Sequence, residues 1–171
     1  MTLDQAISTA LDFEVKVRDH YLNSAKVLED EKGKKLFELL GKEEEGHVAY
    51  LNHCLSEWKK SGKVSPKPLT SLLPKGVAWI DEAKKKLAKR PGRRTATGTE
   101  LECVKLALAY ENEASAFYRT LASGLPENER DLFVPFLGIE DGHLALVQAQ
   151  LDAVQGLGFW FDTMEFNLEA G

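Results

Sequence analysis

Glu43-Glu44-Glu45-Gly46-His47, "EEEGH", lies inside a stretch with helical periodicity. Three adjacent carboxylates repel one another, and a glycine inside a helix costs about 1 kcal/mol relative to alanine. Ninety-six residues after Glu44 the chain reads "IEDGH", Ile139 to His143, with the same Glu-x-Gly-His. A locally unfavourable run that occurs twice asks for a reason beyond the local helix.

Working outward, the repeat lengthens. "LFELLGKEEEGHVAYL" (36–51) aligns with "LFVPFLGIEDGHLALV" (132–147), and "ALDFEVKVRDHY" (10–21) with "ALAYENEASAFY" (107–118). Each half therefore carries a Glu seven residues before a Tyr on one segment and Glu-x-x-His on the next. The matched residues are Glu14, Glu44 and His47 in one half and Glu111, Glu140 and His143 in the other.

Periodicity near 3.6 dominates the chain, and no period-2 strand is convincing. A first helix begins at Thr2, where "TLDQ" has capping-box spacing, and carries Leu3, Ile7, Ala10, Leu11, Val17 and Tyr21 on one face. Asp30 to Gly33 reads as a turn. A second helix carries Leu36, Phe37, Leu40, Leu51, Leu55 and Trp58 and fades at Ser61-Gly62. A crossover of about residues 62–98 contains one short amphipathic helix, Val77 to Lys89. A third helix starts at Thr99 with a second capping box, "TELE". After the turn "SGLPEN", with Pro126 suited to a first helical position, a fourth carries Leu132, Phe133, Phe136, Val147 and Leu151. Pro135 should kink it shortly before Glu140, and Gly156 to Gly158 end it. The aromatic tail, 157–171 with "FWFDTMEF", should pack back on the helices or on a second subunit.

The expected fold is all-α: one domain, 1–171, with a four-helix bundle over about 2–156. In an antiparallel pair, residues equidistant from the turn share a height. The midpoint of Glu14 and Glu44 falls at 29, and that of Glu111 and Glu140 between 125 and 126, both at expected turns. Residues three apart share a helix face, and here that face is the apolar stripe. Four carboxylates in an apolar interior are very costly as bare anions. Two divalent cations would neutralise them, with the two imidazoles completing the shells. A Glu from each of two helices and a Glu-x-x-His from each of two others is the ferritin-like di-iron or di-manganese pattern. Carboxylate and imidazole ligands suit iron or manganese, and zinc stays open. Glu44 and Glu140 would bridge the ions, Glu14 and His47 holding one and Glu111 and His143 the other.

Around these ligands Glu43 and Glu45 are expected merely to flank. Gly46 and Gly142 leave room for a close neighbour or a helix distortion. Tyr21 and Tyr118, two turns from Glu14 and Glu111, are either core packing or hydrogen-bond donors to ligand carboxylates. His20 and His53 have no repeat partner and read as surface residues.

Bulk properties narrow the classes. The net charge is −5, which gives no overall case for nucleic acid. The basic run Lys84 to Arg94 reads as a solvated face or as a dock for an acidic partner. Cys54 and Cys103 form no CxxC, so a rubredoxin-type iron site is excluded. With no secretory leader or membrane span read, they suggest reduced, buried thiols and a cytoplasmic protein.

At "EVKVRDHY", "EEGH", "ENEASAFY" and "EDGH" the chain resembles the rubrerythrin family of the ferritin-like superfamily. That resemblance implies a non-haem site of two Fe ions that reduces hydrogen peroxide, or oxygen, and a homodimer. Two departures accompany it. The family's C-terminal rubredoxin domain is missing from this chain, so electrons would come from an external donor such as a rubredoxin-like protein. The family's extra Glu, one turn after the third-helix ligand, is here Ala114, which leaves the symmetric shell of bacterioferritins. Two other functions fit the same residues: ferroxidation for iron handling or sensing, and a metal-free structural or interaction module.

Overall fold

The computed structural model describes residues 1–166, and the last part of the aromatic tail, 167–171, lies outside the described residues. The described chain is all-helical. Four long helices carry it: α1 (Leu3–Val27), α2 (Glu31–Ser61), α4 (Gly98–Gly124) and α6 (Val134–Gly156). Two shorter ones, α3 (Ala78–Ala88) and α5 (Glu127–Arg130), lie in the connections. No described helix is long and apolar enough to cross a membrane.

Local chemistry sets the helix ends. The Thr2 amide donates to Gln5 Oε1 at 3.0 Å at the head of α1. The Asp30 carboxylate accepts from the amides of Lys32 and Gly33, so it caps α2 and ends the first turn earlier than its Asp30–Gly33 reading. α2 stops at Gly62, which takes a left-handed φ of 66°.

Two expectations about starts are corrected. α4 begins at Gly98 and not at Thr99, because the box is Thr97 with Glu100 rather than Thr99 with Glu102. The same T-x-x-E spacing occurs twice, two residues apart. Glu100 is buried and also holds Arg94 and Trp160, whereas Glu102 is exposed. Pro135 occupies the first turn of α6, so it starts that helix instead of kinking it. A proline needs no amide partner there. Leu132 and Phe133 consequently sit in the connection, where Leu132 O accepts from Tyr50 Oη at 3.2 Å.

α1 packs on α2 and α4 on α6, and α1 also meets α4. Contacts between α1 and α4 run in opposite senses along the two helices, as do those between α2 and α6. Neighbours are therefore antiparallel throughout. The crossover must then run the length of the bundle from the end of α2 to the start of α4.

The interior comprises two apolar clusters. One includes Val17, Tyr21, Phe37, Leu40, Val104, Leu146 and the tail. The other includes Ile7, Tyr50, Tyr118, Leu132, Phe133 and Phe136. The six repeated Glu and His residues lie in sequence between the members of these clusters on all four helices and form a polar layer between them.

The tail packs back on the bundle of its own chain. Trp160 meets Phe37 edge to face at 5.6 Å and donates Nε1–H to Glu100 Oε1 at 2.9 Å. Gly158 makes this approach possible. Its φ is 74°, and a Cβ there would fall 1.7 Å from Arg94 O. We expect Gly158→Ala to cost roughly 2–3 kcal/mol, read as a lower urea midpoint, with metal content per folded chain unaltered. The Arg94 guanidinium bridges Gly158 O and Glu100, so it is not part of a solvated basic face. Lys84, Lys85, Lys86 and Lys89 are exposed.

Candidate metal centre

Glu14 from α1, Glu44 and His47 from α2, Glu111 from α4, and Glu140 and His143 from α6 converge in the polar layer. All six are essentially without solvent exposure. They fall into two sets of four, each compact enough for its ligand atoms to lie within 4.8 Å of one another. One set is Glu14, Glu44, His47 and Glu140; the other is Glu44, Glu111, Glu140 and His143. Glu44 and Glu140 belong to both, as expected of bridging carboxylates.

These atoms crowd one another, and apart from the His47 Nδ1–Glu14 Oε2 hydrogen bond few of them pair. His47 Nδ1 lies 3.2 Å from Glu14 Oε2, 2.9 Å from Glu44 Oε2 and 3.2 Å from Glu140 Oε1. His143 Nδ1 lies 2.9 Å from Glu44 Oε1 and 3.9 Å from Glu111 Oε1. Yet both Glu44 oxygens, Glu111 Oε2, Glu140 Oε1 and His143 Nδ1 are buried with no hydrogen bond. Leaving buried polar atoms unsatisfied is expensive. Atoms aimed at a common point rather than at each other satisfy that demand when a cation takes the point, so the donor set fits metal ions.

Charge follows the same logic. Burial, reinforced by Glu140 and Glu44, pushes the Glu14 carboxyl well above the usual carboxylate range. Burial likewise raises Glu111, and the negative Glu44 and Glu140 beside it add to the rise. Burial alone would raise Glu44, but His47 and His143 outweigh it and hold that carboxyl low. Both imidazoles are raised well above their usual range, because the surrounding carboxylates overcome the effect of burial. A divalent cation would remove the need for these protons.

The tyrosines take the hydrogen-bonding role. Tyr21 Oη donates to Glu111 Oε1 and Tyr118 Oη to Glu14 Oε1, both fully buried. The bonds cross: each half's tyrosine holds the other half's glutamate. Each leaves one carboxylate oxygen to face the centre.

Glu43 corrects the expectation that it only flanks. It is 4% exposed and lies 3.2 Å from His143 Nε2. It also accepts from Ser71 Oγ and the Leu72 amide of the crossover. Burial raises its carboxyl, but the bonds to His143, Ser71 and Leu72 outweigh that and lower it. An ionised Glu43 accepts a hydrogen bond from Nε2–H of His143, which leaves Nδ1 as the nitrogen that faces Glu44 and Glu111. Its repeat counterpart is Ile139, so His47 Nε2 has no hydrogen-bond partner. Comparing the halves therefore hid Glu43, whose role depends on a crossover contact that periodicity does not show. We expect Glu43→Ala to weaken metal binding at His143 by about 10–100-fold and to spare the His47 side, a split visible in a stepwise Co(II) titration.

Three smaller expectations resolve here. His20 is half-buried rather than on the surface, with Nε2 donating to Cys103 O at 2.9 Å. His53 is half-exposed beside Glu57 at 3.4 Å. A Cβ on Gly46 or Gly142 would meet nothing within 4 Å, and α2 and α6 run unbroken through both, so neither a close neighbour nor a distortion accounts for them. Cys54 and Cys103 are free and buried. Comparison with protein-family models, with curated proteins and with solved structures finds no match for this chain.

Proposed function

We propose that the chain is a ferritin-like di-iron carboxylate oxidoreductase of the rubrerythrin type, reducing hydrogen peroxide or oxygen with electrons from an external donor. The observation that carries this reading is the pair of four-ligand sets sharing Glu44 and Glu140. Two such sets holding four carboxylates balance two divalent ions, and mixed oxygen and imidazole donors suit iron, with manganese or zinc as alternative occupants. Bound redox-active ions supply two electrons, and peroxide with two electrons and two protons gives two waters.

The chain's own residues do the rest. Glu44 and Glu140 would hold both ions; Glu14 and His47 would complete one position, Glu111 and His143 the other. Tyr21 Oη donates to the outer oxygen of Glu111 and Tyr118 Oη to that of Glu14, which fixes the orientation of both carboxylates. The apolar clusters on either side exclude bulk water. This reading takes an external electron donor, such as a rubredoxin-like protein, and a homodimer, as the family resemblance implies.

Ala114, buried where a further carboxylate would stand, favours a second reading, ferroxidation for iron handling. A cage-sized assembly on a sizing column would support it; a dimer would speak for the oxidoreductase.

The deciding experiment is elemental analysis of protein purified without added metal, beside a Glu44→Ala, Glu140→Ala double variant. About two ions per chain, absent from the variant, are expected. Anaerobically loaded Fe(II) should then oxidise rapidly on addition of peroxide. Iron that peroxide leaves unchanged would sink the oxidoreductase reading. A folded protein without metal would leave a structural or interaction module.

A further inference from the structure

Between the crossover and α6 lies a cavity of about 360 Å³ whose inner wall includes His143. Two glycines make it. Gly138 and Gly142 are one turn apart on α6, and a Cβ added to either would meet no atom within 4 Å. The bare helix face is thus not filled by a neighbour. Leu69, Leu73, Trp79 and Ile139 supply most of the remaining wall. Ser71 also lines it, but its hydroxyl donates to Glu43. His143 closes the inner end with its ring carbons, since Nε2 is held by Glu43 and Nδ1 faces Glu44, so the charged side chain left to a guest is Lys75 on the rim. Lys75 is exposed and forms no ion pair among the described residues.

We propose that this cavity binds a small organic anion with an apolar body, its charge at Lys75 and its tail against the bare face of α6, beside His143. The size falls within the range of small-molecule sites, which are mostly apolar with a few placed polar groups. The rim lysine favours an anion over a cation as the guest. Glu43 ties Ser71 of the cavity wall, and the amide of the adjacent Leu72, to His143, so occupancy and the geometry of that imidazole are linked through one carboxylate. The purpose of such a ligand rests on the metal-centre reading; the binding itself does not.

The test uses the full ¹⁵N-labelled chain with octanoate as the anionic probe and 1-octanol as its neutral counterpart. It is run on EDTA-treated protein and on Zn-loaded protein, with metal content measured in the same samples. Octanoate should shift the Gly138 and Gly142 amide resonances saturably in both preparations. Gly138→Leu should abolish binding of both probes while melting temperature and metal content hold. Lys75→Gln should weaken octanoate by about fivefold and leave 1-octanol unchanged; this surface change does not threaten folding. Absence of a shift at these glycines would overturn the proposal, as would unchanged binding in Gly138→Leu. Glycine shifts that follow protein concentration without any probe would overturn it too, by showing that a second copy covers the face. Probe binding without metal uptake would sink the metal-centre reading alone.

Discussion

Metal-free protein should lose stability steadily as pH rises from about 5 to about 8. The sign follows from four groups. His47 and His143 bind protons more tightly when folded than their ordinary value of 6.5 implies. Glu14 and Glu111 do the same relative to 4.5. A group raised on folding stabilises below its unfolded value, and that contribution disappears as pH climbs through the folded one. Glu44, held low, acts in the opposite sense, but only as pH falls below its ordinary 4.5, outside this window. A tenfold change in proton affinity is worth about 1.4 kcal/mol, so groups moving together should remove several kcal/mol. Metal binding displaces the same protons, so affinity for Mn(II) should climb across the range in which the metal-free protein weakens. Urea melts of chelated and loaded protein at each half pH step would measure both trends. Chelated stability that is flat or rises toward pH 8 would refute the assignment of these protons to the polar layer.

The second large effect separates folding from function. Glu14→Gln combined with Glu111→Gln preserves shape, and each amide oxygen can still accept from Tyr118 or Tyr21. It removes two carboxyls that burial disfavours as anions. At pH 7.5 the chelated variant should therefore be more stable than the parent, by about 1–4 kcal/mol. It should also lose metal binding, because each position forfeits one of its anionic ligands. A variant that is less stable without metal would mean that these carboxylates hold the helices together by hydrogen bonding alone. Stability and ligation would then be one property instead of two in conflict.

What could be read beforehand depended on repetition. The six buried Glu and His residues each have a partner in the other half, at the same spacing and on the same apolar stripe, and the structure brings all six together. Features that occur in one half only were not legible. Glu43 is opposed by Ile139, and its partners Ser71 and Leu72 belong to an irregular crossover with no periodic signal. Thr97 and Thr99 offered identical capping spacing, and only the burial of Glu100 by Trp160 from the distant tail decided between them. Pro135 looked interior because Leu132 and Phe133 continue the apolar pattern before it. Those two side chains fill the core from a turn, and hydrophobic spacing does not distinguish a turn from a helix there.

The crossed tyrosines make the two halves depend on each other. A single α1–α2 hairpin could not complete its own shell, because the hydroxyl that fixes Glu14 comes from Tyr118 and the one that fixes Glu111 comes from Tyr21. Two copies of one hairpin, meeting face to face, could supply every repeated group to each other. Two halves carried in one chain need not be identical. Here one has a carboxylate at position 43 and the other a branched alkane at 139, and the two histidines' outer nitrogens meet different surroundings. An assembly of identical hairpins has no means of making that distinction.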